Sequence, residues 1–105
     1  MKLALLSDIH SNVQALDACL EHAEAAGAQR FALLGDLVGY GADPVAVVQR
    51  VMQLAGDGAI VLKGNHDEMA VTPEGGNKTL GGSTADWTHA QLDAQQRAFL
   101  DQLPM

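Results

Sequence analysis

The chain is poor in everything that staples a fold or spans a membrane. Its single cysteine, Cys19, excludes an internal disulfide framework, and a lone thiol fits a reducing, cytoplasmic setting. Aromatic residues make up only 4%, so a core has to come from Ala, Val, Leu and Ile. No apolar stretch approaches the roughly 18 residues of a membrane helix. Asp8 and His10 also interrupt the N-terminal apolar run before it reaches the length of a secretory signal, so no membrane partner is expected. Basic residues are scarce: 6 Lys and Arg against 13 Asp and Glu give a net charge of −7. That balance argues against a chain whose main task is gripping nucleic-acid phosphates. It leaves phosphate chemistry open, because bound cations invert the field around an acidic cluster. The 105 residues suffice for one domain with a modest core.

What is present has a clear order. Residues 2–7 form an apolar run of strand length, stopped by Asp8. Residues 12–26 read as a helix, with Val13, Leu16, Leu20 and Ala23 at helical spacing and Gly27 as the stop. A second apolar run, 31–34, ends at Gly35-Asp36. Asp43-Pro44 opens another helix, with Asp at the N-cap and Pro in the first turn, and its apolar face is Val47, Val48, Val51 and Leu54. A third run, 59–62, ends at Lys63-Gly64. The βαβαβ order predicts an α/β fold with a short parallel sheet flanked by helices. Continuous apolar runs are what strands show when helices cover both faces of the sheet. Residues 72–83, rich in Gly, Thr and Asn, read as a mobile loop, and 84–105 as a helical tail. Within that tail, Asp93 and Gln96 have the spacing of a capping box. No fourth strand, repeat or heptad pattern is evident.

A short polar cluster follows each strand: Asp8-Ile9-His10, Gly35-Asp36 and Gly64-Asn65-His66-Asp67. Ligands of open parallel sheets bind at the carboxyl ends of the strands, so the three clusters converge although they are far apart in sequence. Mixed oxygen and imidazole donors suit divalent manganese, iron or zinc. Taken singly, Asp8, Asp36 and Asp67 read as ordinary loop residues; together, in order and each after a strand, they read as a site.

These motifs resemble the calcineurin-like metallophosphoesterases. Ser7, Ser11-Asn12 and the run Gly35-Asp36-Leu37-Val38-Gly39-Tyr40-Gly41 followed by Asp43-Pro44 resemble the bacterial phosphoesterase branch of that family. The resemblance covers roughly residues 1–72 and implies half of a four-layer sandwich. It implies hydrolysis of phosphate mono- or diesters by a two-metal mechanism, with a metal-bridging hydroxide as nucleophile. Asp8 and His10 would bind the first metal, Asp36 would bridge both, and Asn65 would bind the second. His66 would act as general acid or charge stabiliser at the leaving group, and Asp67 would orient the His66 ring. The implied substrate is a small-molecule phosphate ester or a phosphoprotein.

The family pattern continues with further histidines from a C-terminal half, including a Gly-His-x-His cluster. Here only His22 and His89 remain. His22 reads as a solvated helix residue and His89 as an ordinary one. The alternative reading is therefore a truncated, catalytically inactive fragment that binds a metal or a partner. The edge of a three-stranded sheet invites association, and a second copy of the chain is its simplest cover. Of the remaining residues, Cys19 reads as a small buried apolar residue and Trp87 as the anchor of the tail. Arg30, Arg50 and Arg97 read as solvated. Tyr40 is placed either to touch a substrate or to pack over its loop.

Overall fold

The computed structural model of the chain describes residues 2–73 and 80–105. The elements run β1 (Lys2–Leu6), α1 (Val13–Ala25), β2 (Ala28–Leu33), α2 (Pro44–Gly56), β3 (Ile60–Val61), α3 (Asn65–Val71), α4 (Leu80–Gln91) and α5 (Ala94–Asp101). The three strands form one parallel sheet in the order β1-β2-β3, with Leu6 beside Leu33 and Leu33 beside Val61. The α/β expectation holds, and all strand C-termini lie on one edge.

Local chemistry explains the boundaries. The Asn12 side chain accepts the Ala15 N–H at 2.9 Å and starts α1. Asp43 stands at the N-cap of α2, but its side chain makes no cap bond; Pro44 at the first turn starts that helix. The Asp93–Gln96 box is reciprocal, at 2.7 and 2.9 Å. Helix α3 was not legible from its seven residues, since Asn, His and Asp favour caps and turns over helix interiors. Helix α4 begins at Leu80, inside the stretch expected to be loop through Ser83. Two glycines cost that helix about 1 kcal/mol each relative to alanine, and packing along α3 opposes this cost. The remainder of the expected loop, 74–79, lies outside the described residues.

The core is one cluster. Leu16 and Leu20 of α1, Leu33 and Val61 of the sheet, and Val47, Val48, Val51 and Leu54 of α2 meet Leu92, Leu100 and Leu103 of the C-terminal segment. The tail is anchored by Ala85, Thr88 and Leu92, a helical stripe that leaves Trp87 to one side and 45% exposed. Cys19 is likewise exposed, on the outer side of α1. Arg97 is not merely solvated: its guanidinium donates two hydrogen bonds to the His89 carbonyl near the end of α4. The chain's end is tied to the sheet as well. Lys63 donates its N–H to the Pro104 carbonyl, and its ammonium binds Glu68 at 2.8 Å and the Asp101 carbonyl at 3.0 Å.

The expectation of two covered sheet faces is corrected. Helices α1 and α2 pack on each other over one face. On the other, Leu3, Leu5 and Ile60 are 52%, 60% and 59% exposed. Sequential strands joined by crossovers of one hand place successive helices on the same side. Apolar runs alone do not distinguish a covered face from an open one. No helix among the described residues is long and apolar enough to cross a membrane.

Candidate metal centre

The three polar clusters converge at the carboxyl edge of the sheet. Backbone bonds lock the first loop to the second: His10 N–H to the Asp36 carbonyl at 2.9 Å, and Ser11 N–H to the Leu37 carbonyl at 2.8 Å. The third loop joins through His66 N–H, which donates to Asp36 Oδ1 at 3.0 Å. Asp8, His10 and Asp36 each bring one ligand atom to a common point, all within 4.8 Å of one another.

The histidine is aimed. His10 Nδ1 lies 3.2 Å from the Val38 carbonyl, which only accepts. A proton on Nδ1 satisfies that carbonyl, and Nε2, 3.6 Å from Asp8 Oδ1, is then the ring atom placed to ligate a metal. One cation among these three atoms would offset the mutual repulsion of the two carboxylates. The donor set, carboxylate oxygens with one imidazole, fits a divalent transition ion. The Val38 carbonyl left no signal in the sequence because it acts through the backbone.

The backbone around this point is strained. Among the described residues, Asp8, His10, Ser11, Asp36 and Tyr40 are non-glycine residues in the left-handed region, with φ from 48° to 59°. Such positions cost on the order of 1 kcal/mol each and gather where function holds them. Gly64 is required for another reason. Its φ of −95° suits any residue, but an added Cβ would lie 2.3 Å from both Asp36 N and Asp36 Oδ1.

Asp67 takes a role other than the expected one. Its fully buried carboxylate accepts Leu37 N–H at 2.8 Å, Val38 N–H at 3.0 Å and Gly64 N–H at 2.9 Å. His66 Nδ1 is buried and has no hydrogen-bond partner, so Asp67 does not hold that ring. Asp67 instead staples the second loop to the third. Burial pushes its carboxyl above the ordinary range, against the lowering effect of those three N–H groups, and the nearby Asp36 charge adds to the rise. The His66 ring stands edge-on to the His10 ring, with centroids 5.0 Å apart. Asn65 is exposed at the first position of α3, next to His66. Outside this centre, His89 Nδ1 lies 2.7 Å from the Ala70 carbonyl and joins α4 to α3, a structural role.

Known proteins share the sequence family and the fold. The model of the calcineurin-like phosphoesterase superfamily domain matches residues 1–102, and the chain belongs to that family. An uncharacterized protein of Methanocaldococcus jannaschii is 34% identical over 105 residues, covering 98% of this chain and 42% of its own length. The crystal structure of a metallophosphoesterase from Sphaerobacter thermophilus superposes with a TM-score of 0.79 at 33% identity, over 99% of this chain and 42% of that one. Another solved protein, to which diadenosine tetraphosphatase activity is provisionally assigned, gives 0.71 at 27% identity, over 97% and 42%. The chain thus spans less than half the length of these relatives.

Proposed function

We propose that the chain carries the metal-binding and acid elements of a phosphoesterase that hydrolyses phosphate mono- or diesters with two divalent ions, manganese, iron or zinc. The acceptor cluster of Asp8, His10 and Asp36 beside His66 carries this reading. Asp8 and His10 would hold the first ion, Asp36 would be shared, and Asn65 would serve the second. Such ions supply Lewis acidity to phosphoryl oxygens and lower the pKa of water.

The chain's own residues do the rest. The Val38 carbonyl fixes the tautomer of His10. Asp36 takes the His66 N–H, so metal ligand and acid keep their spacing. With Nδ1 buried, His66 offers Nε2 to the leaving oxygen and gives up a proton there. The substrate class is a small-molecule phosphate ester or a phosphoprotein; the net charge of −7 disfavours nucleic acid. The similarity to a provisionally assigned diadenosine tetraphosphatase supports a nucleotide among the small molecules. A cytoplasmic location and self-association through the open sheet edge belong to the same reading, and sedimentation tests the latter.

The test loads the chain with manganese, desalts it, and measures metal content and hydrolysis of a chromogenic phosphodiester. About two ions per chain with turnover is expected. His66→Gln should keep the metal and lower turnover by about 100-fold or more. A chain that retains no metal overturns the reading. A second reading is favoured by the open sheet face and the 42% span of the relatives. In it the chain binds one ion or a partner without turnover, and His66→Gln changes nothing measurable.

A further inference from the structure

Four of the five left-handed non-glycine residues are Asp8, His10, Asp36 and Ser11, which sit in or next to the metal cluster. The fifth, Tyr40, has no role in it, yet it too is held at φ 59°. Its loop has no slack. A Cβ on Gly39 would lie 3.0 Å from His66 Nδ1, and one on Gly41 would lie 2.0 Å from the His10 carbonyl oxygen. The Tyr40 N–H donates to Thr84 Oγ1 at 3.2 Å, tying the loop to α4. The ring centroid stands 4.7 Å from that of His66 and 5.3 Å from that of His10. The side chain is nonetheless half exposed and borders a cleft of about 480 Å³ with Asp8, His10 and Asn12. A core residue would be buried, and a passive surface residue would not be held in a strained turn.

We propose that Tyr40 is a specificity-determining residue: its exposed ring stacks on a planar aromatic group attached to the leaving oxygen of the phosphate ester. The inference rests on the phosphoesterase reading, because His66 locates the leaving oxygen and Tyr40 flanks His66. Alkyl esters have no ring to stack and gain nothing at this position. Stacking of this kind is sequence- and substituent-tolerant, so it selects a class, aryl or nucleoside esters, and not one compound.

Tyr40 is the only tyrosine, so fluorotyrosine labelling gives a single fluorine resonance. The test titrates the zinc-loaded chain with benzylphosphonate and with methylphosphonate, which share the phosphonate head and differ in the ring. Benzylphosphonate should shift the resonance further than methylphosphonate and bind about fivefold more tightly. Tyr40→Phe should keep that preference. Tyr40→Asn removes the ring while suiting the left-handed backbone, and should abolish the preference with methylphosphonate affinity unchanged. Equal affinities for the two ligands, or a preference that survives Tyr40→Asn, overturn the proposal while leaving the phosphoesterase reading intact. Failure of both ligands to bind the zinc-loaded chain overturns the two together.

Discussion

Gly64→Ala is expected to weaken the metal centre strongly without removing a ligand. The new Cβ would stand 2.3 Å from the Asp36 backbone nitrogen as well as from its carboxylate. A flexible side chain could swing away; a backbone nitrogen in a loop bonded to the first loop through the Asp36 and Leu37 carbonyls cannot. The third loop must therefore retreat from the second. The His66 N–H then leaves Asp36, and the carboxylate shared between the proposed ions loses its aim. Metal affinity should fall by about 100-fold, at the upper end of what loss of an outer-sphere contact costs. Overpacking should remove a further 1–3 kcal/mol or so of stability. Calorimetric titration with zinc and thermal unfolding read the two effects separately. An alanine variant with native zinc affinity would show that the loops are not locked as described.

The second large effect concerns Asp67. Asp67→Ala leaves three backbone N–H groups without their acceptor, two of them deep in the core. Each unpaired buried group costs about 1–3 kcal/mol, so the three together cost about 3–9 kcal/mol. Small domains have roughly 5–15 kcal/mol in total, so the variant should sit near the edge of folding. Asp67→Asn should be milder. Its oxygen can still serve Leu37 and Val38, while its amide meets Gly64 N–H donor to donor. The two variants also separate in pH. The folded chain holds the Asp67 proton more tightly than the unfolded chain does. Its contribution is therefore complete below the ordinary carboxylate range and declines as pH rises through the elevated value. Denaturant unfolding in chelator should show this slope in the parent chain and lack it in Asp67→Asn.

Much of this was legible from residue order. The apolar runs located the strands, and the helical spacing of Val47, Val48, Val51 and Leu54 gave a face that is wholly buried. The polar residues after each strand met because parallel strands share a carboxyl edge. Backbone roles were not legible. The Val38 carbonyl that orients His10 belongs to a residue whose side chain says only that it is apolar. Asp67 beside His66 suggested an orienting pair, but the same residue also stands three places after Gly64, the spacing of a helix cap, and that geometry prevailed. Trp87 misled because its value as core depends on helix phase, and an aromatic-poor sequence makes any tryptophan look indispensable.

The open face of the sheet has a practical consequence. Leu3, Leu5 and Ile60 present apolar surface on a rigid, hydrogen-bonded platform. Fluorescent dyes that report loosened packing bind such surface regardless of how ordered the layer behind it is. A bright dye signal from this chain therefore says nothing about melting. The sharpness of the unfolding transition is the observable that separates an ordered chain from a molten one.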